Sequence, residues 1–183
     1  MELEGSKAVM TPEGVYIIGT YDENGVPDAM NAAWGVQSGY DQISLFISNH
    51  KTTENLLKTG AFTVAFGTVD TMAVSDYFGI ESGSKVPNKI EKAGVHVRKS
   101  AHVNAPVIEE YPLTLECELV SYDVDTMHLV GHVVAEQADE SILTDGVVDL
   151  GKLNPVTYDP ALRAYRTLGP VVGKAWGEGM PLR

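Results

Sequence analysis

The sequence predicts a mainly β chain, a small antiparallel barrel with inserted helices. Three observations carry that reading. Short strand-like stretches recur along the 183 residues, with only two or three helical ones among them. They do not alternate regularly with helices, as a doubly wound parallel sheet requires. The two longest, at 112–123 and 126–137, are separated by a tight connection and pair as an antiparallel hairpin.

Taken in order, "GVYIIGTY" (14–21) is a strand by its β-branched and aromatic content, and "DENGVPD" (22–28) is a turn carrying Asn-Gly. "AMNAAWGVQS" (29–38) continues as a second strand whose small residues allow something to approach closely. "QISLFIS" (42–48) is a third. The helix in "KTTENLLKTG" takes Thr52 as N-cap, Leu56 and Leu57 as its apolar edge, and Gly60 as its stop. "AFTVAFG" (61–67) alternates again, and "TVDTMAVSDYFG" (68–79) reads as a short helix opening on Thr68 or Asp70 and ending at Gly79. The stretch from 80 to 105 is polar and irregular, with Gly83, Pro87 and Gly94. In "PLTLECELVSYD", alternation puts Leu113, Leu115, Cys117 and Leu119 on one face and Glu116 and Glu118 on the other. Beyond the hairpin come a helical turn near Leu150 and a last strand-like piece at 164–177. There is no internal repeat and no domain linker.

Composition narrows the function. A net charge of −12 argues against nucleic acid, whose phosphates would be repelled. Lys85, Lys89, Lys92, Arg98 and Lys99 nevertheless hold a large share of the 13 basic side chains, which makes either a positive island for a small anion or a solvated loop. No apolar run approaches membrane-spanning length, and "MELEGSKAVM" has no apolar signal region, so no membrane partner is expected. One cysteine excludes an internal disulfide and fits a reducing cytoplasm.

Lys51 poses the sharpest question. A helix N-terminus carries roughly +0.5 of an elementary charge, so a lysine there is misplaced unless an anion lies between. With two threonine hydroxyls and free N–H groups it describes a phosphate site. The plainer reading is a solvated loop lysine, with Glu54 alone satisfying the dipole. No Gly-x-Gly-x-x-Gly and no Walker-type loop is present, so any phosphate has to be held by this helix. Metal binding is rejected. The histidines His50, His96, His102, His128 and His132 form no His-Glu-x-x-His pair, and His128 and His132 lie about 13 Å apart along one strand face. Cys117 reads as a small core residue. No catalytic side chain is assigned, which leaves the chemistry to a cofactor.

The blocks "GVPDAMNAAWG", "SLFISNHKTTENLLKTGAFTVAF", "SGSKVPNKIEKAG" and "LECELVSYD…HLVGHVV", with the ending "DPALRAYRTLGPVVGKAWGEG", resemble the flavin reductase-like, FMN-binding split-barrel family, close to its flavoredoxin branch. The resemblance covers roughly residues 10 to 178. It implies an antiparallel Greek-key split β-barrel over 10–138 and a C-terminal extension over 139–183, packing on the barrel or on a dimer partner, within a single domain spanning 1–183. It also implies a homodimer with one FMN per subunit. Asn31, Ala32, Ala33 and Trp34 would run beside the isoalloxazine. Ser48, Asn49, His50, Lys51, Thr52 and Thr53 would surround the ribityl chain and phosphate, with the Thr53 hydroxyl donating to the phosphate. Lys89 matches the lysine the family brings to the flavin, and His128 its strand histidine. Relatives often carry asparagine in place of Asp28 and glutamate in place of His132, so His128 and His132 both stand as candidates for the strand position. The implied function is an FMN-dependent oxidoreductase or electron carrier served by NAD(P)H or a redox protein. A redox-inactive FMN-binding or storage module and a dimerising scaffold without flavin are the alternatives.

Overall fold

Seven strands join in one antiparallel sheet in a computed structural model that describes residues 10–183. The N-terminal stretch read above for a signal region lies outside these residues, apart from Met10. In chain order the strands are β1 (Tyr16–Tyr21), β2 (Pro27–Ala32), β3 (Gly35–Gln37), β4 (Gln42–Phe46), β5 (Ala61–Phe66), β6 (Leu113–Asp123) and β7 (His128–Ala138). In space they run β2–β1–β5–β6–β7–β4–β3. The edge strands β2 and β3 are sequence neighbours, joined only through Ala33 and Trp34. Six strand spacings would set the edges of a flat sheet about 29 Å apart. Three peptide steps reach at most about 11 Å. The sheet must therefore curl until its edges meet, which is the antiparallel split-barrel architecture expected from the sequence.

Alternation decides what the curl encloses. Ile18 on β1 points into the barrel with Leu45, Phe62, Cys117 and Leu129. Its neighbour Ile17 points outward, to be covered with Phe78, Ile90 and Tyr111. That outer cover comes from α2 (Met72–Ile80) and α3 (Lys89–Ala93). Because β1 is buried on both faces, it reads as an apolar run rather than an alternation. A separate cluster of Leu113, Ile142 and Leu153 seats the segment after β7 against the sheet, and Val156–Asp159 pairs with Glu13–Gly14 and with Ala164–Thr167.

Several elements differ from their sequence reading. The stretch 29–38 is not one strand but β2 and β3 on opposite sheet edges, because the chain crosses the seam at Ala33–Trp34. The helix α1 (Lys51–Thr59) has His50, not Thr52, at its cap position, and it buries Thr52, Thr53, Asn55 and Leu56 while Leu57 stays exposed. The helix α2 runs through Gly79 to Ile80. The irregular stretch contains α3 and a strand, Val97–Lys99, paired with Pro106–Ile108. The final strand is only Ala164–Thr167. Glu116 does lie on the face opposite Cys117, yet it is fully buried. The segment around Ser100 covers that face, and the Ser100 hydroxyl, the His102 N–H and the Gln137 amide all donate to its carboxylate.

Candidate functional site

The connection from β4 into α1 builds the site. His50 at the cap position is extended, and no side chain bonds the first N–H groups of the helix. The first intrahelical bond runs from the Glu54 N–H to the His50 carbonyl at 2.9 Å. The N–H groups of Lys51, Thr52 and Thr53 are thus left for an outside acceptor, at the positive end of a nine-residue helix. Neither threonine hydroxyl is spare. Thr52 Oγ1 donates to Asp28 Oδ2 (2.9 Å) and Thr53 Oγ1 to the Ser48 carbonyl (2.8 Å). Thr53 is fully buried, and its hydroxyl braces the connection instead of facing an anion.

Two adjoining cavities open at this helix end. The first, about 210 Å³, is lined by Asp28, Asn31, His50, Lys51, Thr52 and Lys89, and is closed by the turn after α2. The second, about 370 Å³, shares Asp28, Lys51 and Gly83 and extends toward Pro87. Lys89 is only 2% exposed, so it belongs to this site and not to a solvated positive island. Its Nζ donates to the carbonyls of Ala29 (2.6 Å) and Phe78 (3.1 Å), tying β2 to the end of α2. Burial lowers its pKa, while the nearby charges of Asp28 and Glu81 pull it back up. Asp28 is 7% exposed, and its Oδ1 is buried without a hydrogen-bond partner. Gly83 packs directly on that carboxylate, for a Cβ there would lie 2.5 Å from Oδ1.

The remaining expected residues fall into two groups. Ser48 Oγ lies 2.9 Å from His50 Nε2, and the exposed Asn49 sits between them in the chain. Asn31 is held by its Nδ2–H to the Ser75 carbonyl (2.9 Å). Ala32 points into the barrel core, and Ala33 is half-buried at the seam. Trp34 is 64% exposed, and its carbonyl accepts the Phe46 N–H at 2.9 Å. His128 does not line the α1 cavities. Its ring stacks on Phe46 (4.9 Å between centroids, 17° apart) and its Nε2 lies 3.0 Å from Ser44 Oγ. His132 stands instead beside Asp41, at 3.5 Å.

The structure therefore brings Asn31, His50, Lys51, Thr52 and Lys89 around one cavity. His128 stacks on Phe46, whose N–H bonds the Trp34 carbonyl, and none of these three lines that cavity. Sequence reasoning left Phe46 and Gly83 out of the site. Both stood within blocks that carry the family resemblance, Phe46 in "SLFISNHK" and Gly83 in "SGSKVPNK". Chemically, uncapped N–H groups and two lysines suit a phosphate, and an exposed aromatic surface suits a flat ring. Among the described residues, no three His, Cys, Asp or Glu side chains could hold a metal ion, and no helix is long and apolar enough to cross a membrane.

Comparison with known proteins fits this geometry. The sequence model of the family described as flavin reductase like domain matches residues 9–162. The solved structure of flavoredoxin of Desulfovibrio vulgaris (Miyazaki F) has TM-score 0.92 at 28% identity, covering 98% of this chain and 99% of that one. Flavoredoxin from Methanosarcina acetivorans has TM-score 0.89 at 25% identity, covering both chains completely (100% each). An uncharacterized protein of Aeropyrum pernix is 27% identical over 173 residues, 92% of this chain, and the chain spans 63% of that relative's length.

Proposed function

We propose that this chain, which belongs to the flavin reductase-like domain family, is an FMN-dependent oxidoreductase that passes reducing equivalents from NAD(P)H or a protein donor through the flavin. The observation that carries the reading is the uncapped N-terminus of α1, opening with Lys51 onto a cavity that Lys89 also lines. The residues present fit FMN. The backbone N–H groups of Lys51–Thr53 and the Lys51 ammonium would hold the phosphate through charge-assisted hydrogen bonds. Thr53 keeps the Ser48–His50 connection in place around them, and the Thr52 hydroxyl donates to one oxygen of the Asp28 carboxylate, which also lines the cavity. Trp34, with Phe46 and His128 beside it, would flank the ring. When bound, the flavin supplies the hydride- and electron-accepting chemistry, so no side chain need act as acid or base. The protein's part is to bind, orient and shield.

The active form in this proposal is a homodimer, which would cover the exposed aromatic surface. The reading is tested by the absorption spectrum of the purified protein, repeated without oxygen after adding NADH or NADPH. Flavin bands that bleach with either reductant support it. Bands that never bleach, even with a redox protein as donor, reduce the chain to a binding module. A colourless protein that takes up no FMN overturns it.

A further inference from the structure

The two cavities at the head of α1 differ in charge. Asp28 and Lys51 line both. The smaller adds Lys89, His50 and Glu81, so two lysines there stand against two acids. The larger adds Asp22 and Glu54 but no further lysine, so three acids face Lys51 alone. Hydrogen bonds from the N–H groups of Val26 and Asn24 hold the Asp22 carboxyl below its ordinary range, and the charge of Lys51 acts in the same direction. Lys51 is therefore shared with an acid before any ligand arrives. Lys89 in turn gives N–H groups to two backbone carbonyls.

Asp28 is the least ordinary of these acids. It is buried where the two cavities meet, and while Oδ2 accepts the Thr52 hydroxyl, Oδ1 has no donor at all. An orphaned buried acceptor costs stability, so packing alone gives no reason for it. Gly83 covers that oxygen, and a buried charge is screened by salt much less than an exposed one. Its charge already reaches Lys89, where it counters the lowering of the lysine's pKa by burial. A single phosphate can be met by Lys51 and the free N–H groups of the first turn, where the favourable field of the helix is confined. A second phosphate adds negative charge to cavities in which the acids already equal or outnumber the lysines.

We propose that Asp28, supported by Asp22 and Glu54, sets the phosphate count of this site at one, admitting a flavin monophosphate and rejecting a flavin diphosphate. This rests on the flavin reading above and adds its selectivity. The discrimination works by repulsion: Lys51 and the helix end attract any phosphate, and the unpaired carboxylate acts against each further charge. Asp28 is thus a specificity residue that holds down affinity for the more highly charged ligand.

Riboflavin, FMN and riboflavin diphosphate differ by phosphates alone, so titrating each into the full-length chain, followed by flavin fluorescence, isolates the charge. The unaltered chain should bind riboflavin diphosphate roughly tenfold or more weakly than FMN. Asp28→Asn keeps an oxygen for the Thr52 hydroxyl and removes the charge. It should tighten riboflavin diphosphate by about tenfold, FMN by less, and leave riboflavin nearly unchanged. Glu54→Gln, at an exposed position of α1, should narrow the same gap by a smaller factor that added salt removes. It also decides the matter should Asp28→Asn lose its cooperative unfolding transition. Riboflavin diphosphate binding as tightly as FMN, or a gap that neither variant moves, overturns the selectivity and leaves the flavin reading standing. Equal tightening of all three ligands by Asp28→Asn overturns it too, because shape and not charge would then be at work. Failure of every variant to bind any of the three overturns the flavin reading and the selectivity together.

Discussion

Lys89 shows what a single side chain can hold together. Its ammonium is almost wholly buried, yet it satisfies two carbonyls that belong to different elements. Lys89→Ala would leave both carbonyls buried without a donor, a cost of about 1–3 kcal/mol, and would loosen β2 from α2. Chemical denaturation should show that loss, and FMN titration a weakened site. Cys117 carries a different signature. Burial, with some help from Glu116, pushes its thiol from 9.0 to about 12. The unfolded chain sheds that proton first, so the thiol's contribution to stability is intact below about pH 9 and falls away as pH rises toward 12. Tyr111, raised from 10.0 to about 12 mainly by burial, adds to the same decline from about pH 10. Cys117→Ala should flatten the fall in denaturation midpoint between pH 8.5 and 11, although the variant starts lower from the lost packing. Parallel profiles would remove Cys117 from the alkaline account. Cys117 was legible because alternation alone puts it in the core. Glu116 and Lys89 were not, because each is buried by a segment distant in sequence.

At the scale of elements, α1 is the part whose reading changed most in detail and least in purpose. Its αL stop at Gly60 follows from local pattern, whereas its start does not, with His50 and not Thr52 at the cap position. The threonines do not serve as the pattern suggested, since their hydroxyls serve Asp28 and Ser48 and leave the helix end uncapped. Thr53→Ala should therefore act through the Ser48 connection, costing about 0.5–1.5 kcal/mol of stability and weakening FMN less than Lys51→Ala does. The reverse order of affinities would restore a direct role for the hydroxyl. Gly83→Ala drives a Cβ against the Asp28 carboxylate, so the turn after α2 must shift away from the cavity. FMN affinity should fall while the unfolding transition stays cooperative. The β6–β7 hairpin was plain in the sequence because a tight turn joins two alternating runs. The seam at Ala33–Trp34 was hidden, since small residues continue a strand as readily as they end one, and only closure of the whole sheet decides between them.

For the molecule as a whole, closure is the organising fact. Joining the two sheet edges through two residues forces the curl, and the curl brings β2 beside α1 and the end of α2, where the lysines gather. In a chain of net charge −12, the uncapped N–H groups of α1 with Lys51 and Lys89 are the groups that can hold an anionic ligand there, beside the carboxylates of Asp28 and Glu81 in the same lining. The central claim is that this end grips a phosphate. It is tested most directly by titrating FMN and riboflavin, which differ by that phosphate alone, into the apo protein and into Lys51→Ala. Charge-assisted hydrogen bonds contribute about 1.5–3 kcal/mol each. The account therefore predicts FMN binding roughly ten- to a hundredfold tighter than riboflavin, or more, with Lys51→Ala narrowing the gap by about tenfold. Equal affinities for the two flavins, or a gap that Lys51→Ala leaves untouched, would contradict it.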